Sequence, residues 1–339
     1  MNDSSVTPLP SPATIHSQFP LTASLSRLIA TFRHQSTHIL QRKDPRIALL
    51  VGPCSIHNPI EALEYARRLK ELQKEVAPHF FLILRTFLEK PRTLFGWKGL
   101  LYDPHLDGSH AMEEGIKISR KLLLDLAELG VPTATELLDP LAAPYFCDLL
   151  TWGVIGARTA TSQPHRQLAS SLPFPIGFKN TIYGELEPSI FGVSSSRKSH
   201  SALGINLEGR IAAIQTRGNP WTHLILRGSH HGPNADPASI RKALDLLKLH
   251  HLEPTLGIDC SHGNSGKDLQ VQSKVFEETF QLAKKEFPEI RMMMLESYLT
   301  RGHQKLSSHQ NLAPGLSITD PCLSWEETVK LLLQPSVAQ

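Results

Sequence analysis

The sequence predicts an α/β protein of the (β/α)8 TIM-barrel class, with an N-terminal extension and an inserted segment between barrel strands 5 and 6. Two observations carry the prediction. Eight short apolar runs, 47-IALLVGPCS, 80-FFLILRTF, 133-TATELLD, 152-WGVIGART, 174-FPIGFKN, 222-THLILRG, 255-TLGIDCSH and 292-MMMLESY, alternate with helical patterns from Ile47 to Leu333. Unbroken apolar runs of this length, separated by helices, are the mark of parallel strands buried on both faces. Each run also ends in a residue with chemistry to offer, as suits a fold whose C-terminal strand ends converge on one mouth. A doubly wound open sheet is the runner-up, but no GxGxxG turn follows the first run.

Taken in order, residues 1–45 read as an extension with a short amphipathic helix, from Leu21, Leu25, Leu28, Ile29 and Phe32 at helical spacing. Its Ser, Thr and Pro content, with Asp3 the only acid among residues 1–42, weakly resembles an organellar transit peptide; a tail followed by a helix is the favoured reading. Residues 46–335 read as the barrel domain. Helices start where Asn58 precedes Pro59 with Glu61 three on, and where Asp236 precedes Pro237. Periodicity then continues through 59-PIEALEYARRLKEL, 111-AMEEGIKISRKLLLDLAEL and 237-PASIRKALDLLKL. The stretch 181–221 is long for a connection inside the barrel, and an added hairpin or regulatory extension is expected there.

Of 339 residues, 35 are Lys or Arg and 32 Asp or Glu, a balance of +3 that is too small for a general nucleic-acid or membrane surface. Cysteines 54, 147, 260 and 322 form no CxxC pair, so a reducing compartment fits better than a disulfide scaffold. No apolar run approaches the roughly 20 residues of a membrane span. A cytoplasmic protein without nucleic-acid or membrane partners is expected.

The strand ends supply Cys54, Arg85, Glu136, Arg158, Lys179, Arg227, His262 and Glu296. Singly, each is more readily a solvated strand end, a buried hydrophobe or a hydrogen-bonded loop residue. Eight at one mouth are harder to dismiss. The cations Arg85, Arg158, Lys179 and Arg227, joined by Lys90, would repel one another unless anions bind between them, so a phosphorylated carboxylic acid is a natural ligand. The loop 89-EKPRT adds Arg92 and Thr93. Cys54, His262 and Glu296, with Asp320 of 317-SITDP, form a mixed-softness donor set for one divalent ion such as Mn, Fe, Co or Zn. A metal beside clustered cations suggests condensation or lyase chemistry on phosphorylated metabolites.

These residues sit in motifs that resemble one family. With 52-GPCSIH, 89-EKPRT, 103-DPH, 155-IGART, 177-GFKN, 225-ILRG, 258-IDCSHGNS, 295-LES and 317-SITD, the chain from about Phe19 onward is similar to the class I metal-dependent 3-deoxy-D-arabino-heptulosonate 7-phosphate (DAHP) synthases. The resemblance implies a transferase that condenses phosphoenolpyruvate with erythrose 4-phosphate and water, the first step of the shikimate pathway to chorismate and the aromatic amino acids. It implies Cys54, His262, Glu296 and Asp320 as metal ligands, Arg85, Lys90, Arg158, Lys179 and Arg227 around phosphoenolpyruvate, and Arg92 and Thr93 on the aldose phosphate. Glu136 joins the substrate-binding set. Lys90, His262 and Cys54 are the candidate catalytic residues, and Lys90, Glu136 and His262 all remain open for proton transfer. An aromatic amino acid effector and a homodimer or homotetramer are further implied.

The chain departs from the family pattern at Thr181, Ile182 and Tyr183 after GFKN, at Ser229, His230 and His231 after ILRG, and at Leu316. The alternatives are a related synthase using another aldose, such as arabinose 5-phosphate, and a catalytically silent regulatory homologue. The KPRT segment argues against the first, and retention of every ligand and cation against the second.

Overall fold

The computed structural model describes residues 6–92, 94–306 and 312–337. All eight predicted runs are strands of one closed parallel barrel: β1 (Ile47–Gly52), β2 (Phe80–Arg85), β3 (Thr133–Glu136), β4 (Trp152–Ile155), β5 (Ile176–Lys179), β8 (Thr222–Leu226), β9 (Leu256–Asp259) and β10 (Ile290–Glu296). The ring closes between β1 and β10, where Gly52 stands opposite Glu296. Between β5 and β8 the inserted segment forms an antiparallel hairpin, β6 (Ser201–Ile205) with β7 (Ile211–Gln215).

Strand periodicity sorts side chains between two layers. Ala48, Leu50, Phe81, Ile83, Trp152, Val154, Ile225, Met292 and Met294 fill the barrel interior, while the alternate residues pack outward against the helices. At the C-terminal ends the interior positions turn from apolar to charged, with Arg85, Glu136, Lys179, Asp259 and Glu296 as the last residues of β2, β3, β5, β9 and β10. The filled interior is a floor beneath these charges.

The extension holds two helices, α1 (Pro12–Gln18) and α2 (Ala23–Leu40), rather than one short one. Thr22 caps α2 by accepting from Leu25 N, and the chain before it is tied to the hairpin tip by Ala13 N to Leu207 O at 2.7 Å. The helices α3 (Pro59–Val76), α4 (Met112–Glu128), α5 (Gln163–Ser171), α6 (Glu187–Ser196), α7 (Pro237–Leu249), α8 (His262–Ser265), α9 (Leu269–Lys285) and α10 (Trp325–Val337) complete the chain. The predicted starts hold: the side chain of Asn58 accepts from Ile60 N and Glu61 N, and that of Asp236 from Ala238 N and Ser239 N. All four cysteines are free and buried. No helix among the described residues is long and apolar enough to cross a membrane.

Candidate active site

The charged strand ends open into a cavity of about 370 Å³ at the C-terminal mouth of the barrel. Six basic side chains line it: Lys90, Arg92, Arg158, Lys179, Arg227 and Lys267. Only Glu136, Asp320 and the titratable imidazoles of His230 and His262 accompany them among the lining residues. The strand-end reading needs one correction. Arg85, Glu136, Lys179 and Glu296 do terminate their strands, but Cys54, Arg158, Arg227 and His262 lie one to three residues beyond theirs. The loops deliver these four to the mouth, so they share a site without sharing a register.

At the cavity wall, where Asp320 lines it, Sγ of Cys54 and carboxylate oxygens of Glu296 and Asp320 lie within 4.8 Å of one another. Nε2 of His262 is 3.7 Å from Oε1 of Glu296. Nδ1 of the same ring is 2.9 Å from Oδ2 of Asp259, an ion-pair contact without hydrogen-bond alignment, and Nε2 is left toward Glu296. The thiol and two carboxylates converge, while the His262 imidazole approaches only Glu296 of the three and stands outside that cluster; the four donor types together suit a divalent first-row ion. Burial and Glu296 push the Cys54 thiol up to about 11. A bound cation would reverse that shift.

Basic groups balance these acids. Lys90 Nζ donates to Cys54 Sγ at 3.0 Å and to Cys54 O at 3.3 Å. Burial would lower its pKa, yet Cys54, Glu296, Asp320 and Glu136 outweigh burial and hold it above the ordinary lysine value. Asp320 is held well below the carboxylate range: burial opposes this, and Lys90, Lys267 and His262 overcome it. Lys267 pairs with Asp320 at 2.8 Å. Arg85 is fully buried, with Nη2 donating to Glu296 Oε1 at 3.0 Å and its guanidinium 4.1 Å from the Phe87 ring centroid. It lies below the cavity rather than lining it. Its Nη1 has no hydrogen-bond partner among the described residues.

Across the mouth, Lys179 Nζ donates to Asp259 Oδ2 at 2.7 Å. Asn180 accepts from Arg227 N at 2.8 Å and donates to Gly228 O, joining the loops after β5 and β8. The two divergent segments meet as well, with His230 N donating to Ile182 O at 3.0 Å. Both His230 and Ile182 line the cavity. Glu136 presses against Gly156, where a Cβ would lie 2.2 Å from its Oε1. Arg92 reaches the cavity from an exposed loop, its Nε donating to Trp97 O at 2.8 Å. Thr93 lies outside the described residues.

Sequence reasoning missed Asp259 and Lys267. Asp259 was legible, since it ends β9 as Lys179 ends β5, but the histidine three residues on drew the assignment. Lys267 carried no strand-end signal; only folding of the segment after α8 brings it to Asp320.

The sequence pattern of the DAHP synthetase I family matches residues 23–333. The chain belongs to that family. It is 44% identical over 325 residues to the Tyr-sensitive phospho-2-dehydro-3-deoxyheptonate aldolase of Escherichia coli K12, covering 96% of this chain and 91% of the relative. It is 41% identical over 324 residues to the Trp-sensitive enzyme of the same strain, covering 96% and 93%. The solved structure of phospho-2-dehydro-3-deoxyheptonate aldolase from Francisella tularensis SCHU S4 superposes with a TM-score of 0.95 at 39% identity, covering 98% of this chain and 96% of that one. As a DAHP synthase, the enzyme joins phosphoenolpyruvate to erythrose 4-phosphate with water and releases phosphate.

Proposed function

We propose that Cys54, His262, Glu296 and Asp320 hold one divalent ion, that Arg85, Lys90, Arg158, Lys179 and Arg227 bind phosphoenolpyruvate with Glu136 beside them, and that Arg92 and Thr93 take the phosphate of erythrose 4-phosphate. The observation that carries this reading is the crowding of six basic side chains in one cavity that shares Asp320 with three converging ligand atoms. Protein acids offset Lys179 and Lys267, but the six basic side chains still outnumber Glu136 and Asp320 along the lining, an excess that suits anionic substrates.

The reaction forms a bond between C3 of phosphoenolpyruvate and the aldehyde carbon. Water oxygen bonds to C2, and the bond from C2 to the bridging phosphate oxygen breaks. A divalent ion held by Cys54, His262, Glu296 and Asp320 would supply Lewis-acid polarisation of the aldehyde carbonyl. The protein's cations hold both phosphates and the carboxylate so that the two carbons meet in a productive orientation. Lys90, Glu136 and His262 border this space and are the candidates for moving its protons. Asp259 stands against His262 and is the counter-ion of Lys179.

The relatives are named for sensitivity to Tyr and to Trp. We assign an aromatic amino acid effector to the groove of about 140 Å³ between the hairpin and α5, where Ala202, Gly204 and Ile214 face Pro164 and Leu168. The reading further includes a homodimer or homotetramer, an extension over 1–45 joined to a barrel domain over 46–335, and a cytoplasmic location, where both phosphorylated substrates are retained. Phosphate release from phosphoenolpyruvate by EDTA-stripped protein, with and without Mn, tests the function. Release is expected with Mn and erythrose 4-phosphate and not with arabinose 5-phosphate. Turnover that survives exhaustive chelation removes the metal; turnover of arabinose 5-phosphate removes the substrate assignment.

A further inference from the structure

Glu89 immediately precedes Lys90 and is 1% exposed, and the reading above gives it no part. Its carboxylate faces groups from two other segments. Oε2 accepts long hydrogen bonds from Leu138 N at 3.3 Å and Asp139 N at 3.5 Å, in the loop after β3. Oε1 lies 3.1 Å from the Tyr102 hydroxyl. The same hydroxyl is 3.3 Å from Oδ2 of Asp139, whose Oδ1 accepts from Leu141 N at 2.9 Å. A tyrosine hydroxyl has one proton to donate. With a carboxylate on either side, both contacts become attractive only when the cluster carries a second proton.

We propose that Glu89 is a positioning residue for Lys90: as a protonated carboxyl it donates to Tyr102 while Tyr102 donates to Asp139, clamping the loop after β2 against the loop after β3. Burial, with the charge of Asp139 added, pushes the Glu89 carboxyl up to about 8 against the opposing hydrogen bonds from Leu138, Tyr102 and Asp139. Burial and the two acids also raise the Tyr102 hydroxyl, keeping it a donor. Of the other titratable groups facing the cluster, the Cys147 thiol is raised by burial and stays protonated, while His165 holds the far side of the β3 loop through Leu138 O at 2.7 Å.

The backbone around Glu89 has no slack. Lys90 N donates to Lys98 O at 2.8 Å, and at Gly99, with φ +115, a Cβ would come within 2.7 Å of the Glu89 Cα. Movement of Glu89 is therefore passed to Lys90, whose amine is aimed at Cys54. Loss of the Glu89 proton sets two carboxylates on one hydroxyl and loosens the clamp, so activity falls as pH rises through about 8. The linkage has the same sign. A carboxyl whose folded pKa lies above its unfolded value of about 4.3 makes stability decline as pH rises between the two.

The inference rests on the placement of Lys90 at the substrate site. Its test is the pH profile of kcat/KM, from pH 6 to 9.5, for the metal-loaded full chain and for Glu89→Gln, Glu89→Ala and Lys90→Ala. The parent enzyme is expected to lose activity with a midpoint near 8. Glu89→Gln can donate to Tyr102 and accept from the two backbone N–H groups, so it should stay within roughly three-fold of the parent at pH 7 and lack that alkaline limb, whereas Glu89→Ala should lose at least about ten-fold in kcat. A parent profile flat to pH 9, or a Glu89→Gln profile that keeps the limb, overturns the proposal. The glutamine variant decides the matter even where the alanine variant fails to fold. An active Lys90→Ala would instead undo the underlying site reading; an inactive one, with the limb intact in Glu89→Gln, undoes the Glu89 role alone.

Discussion

Replacing Asp259 by Asn tests how the proposed metal ligand His262 is oriented. Asp259 is fully buried, and its Oδ2 meets Lys179 Nζ at 2.7 Å and His262 Nδ1 at 2.9 Å, while Oδ1 accepts from Ser261 N at 3.0 Å. Burial alone would raise its pKa, but His262 and Lys179 hold it well below the carboxylate range. The amide keeps the shape and the Ser261 contact but removes the charge. Lys179, 3% exposed, is then a buried cation without its counter-ion, a change that costs about 3–5 kcal/mol. For a chain of this size that corresponds to a Tm lower by roughly 5–15 °C. His262 loses the carboxylate that directs its ring, which lowers metal affinity about 10- to 100-fold. The assay pairs a thermal melt of EDTA-treated protein with calorimetric titration of Mn. Unchanged melting together with Mn affinity within two-fold of the parent would refute both the buried pairing and the orienting role. A melting loss without an affinity loss would leave Asp259 as the partner of Lys179 alone.

Two further substitutions probe the substrate groups. Gly156→Ala sets a Cβ 2.2 Å from Glu136 Oε1, so the carboxylate must swing away. An overpacking cost of about 1–3 kcal/mol and a kcat lower by about ten-fold are expected, and a normal kcat in the folded variant would remove Glu136 from the site. Arg92→Ala should raise the KM for erythrose 4-phosphate by about 10- to 100-fold, the worth of a charge-assisted contact, with a much smaller change for phosphoenolpyruvate. Equal effects on both substrates would contradict the aldose-phosphate assignment.

The sequence by itself determined the eight strands, the helix starts at Asn58 and Asp236, and most of the charged mouth. These are local signals. An apolar run shows its own burial, a cap shows its own helix, and a polar residue closing an apolar run shows which end faces the mouth. The motifs that resemble DAHP synthases extended this to the family and to the ligand set proposed above. What only the tertiary structure decided is which charges meet. The pairings of Lys179 with Asp259, Lys267 with Asp320 and Arg85 with Glu296 join segments from 53 to 211 residues apart. Arg85 meets Glu296 because the barrel closes with Gly52 opposite Glu296, and the other two pairs meet because β5, β9 and the loops after β9 and β10 end at the same mouth. The shared proton at Glu89 was equally hidden. Nothing local in 89-EKPRT distinguishes a solvated glutamate from one buried against Tyr102 and Asp139, since its burial is created by a loop from the neighbouring strand.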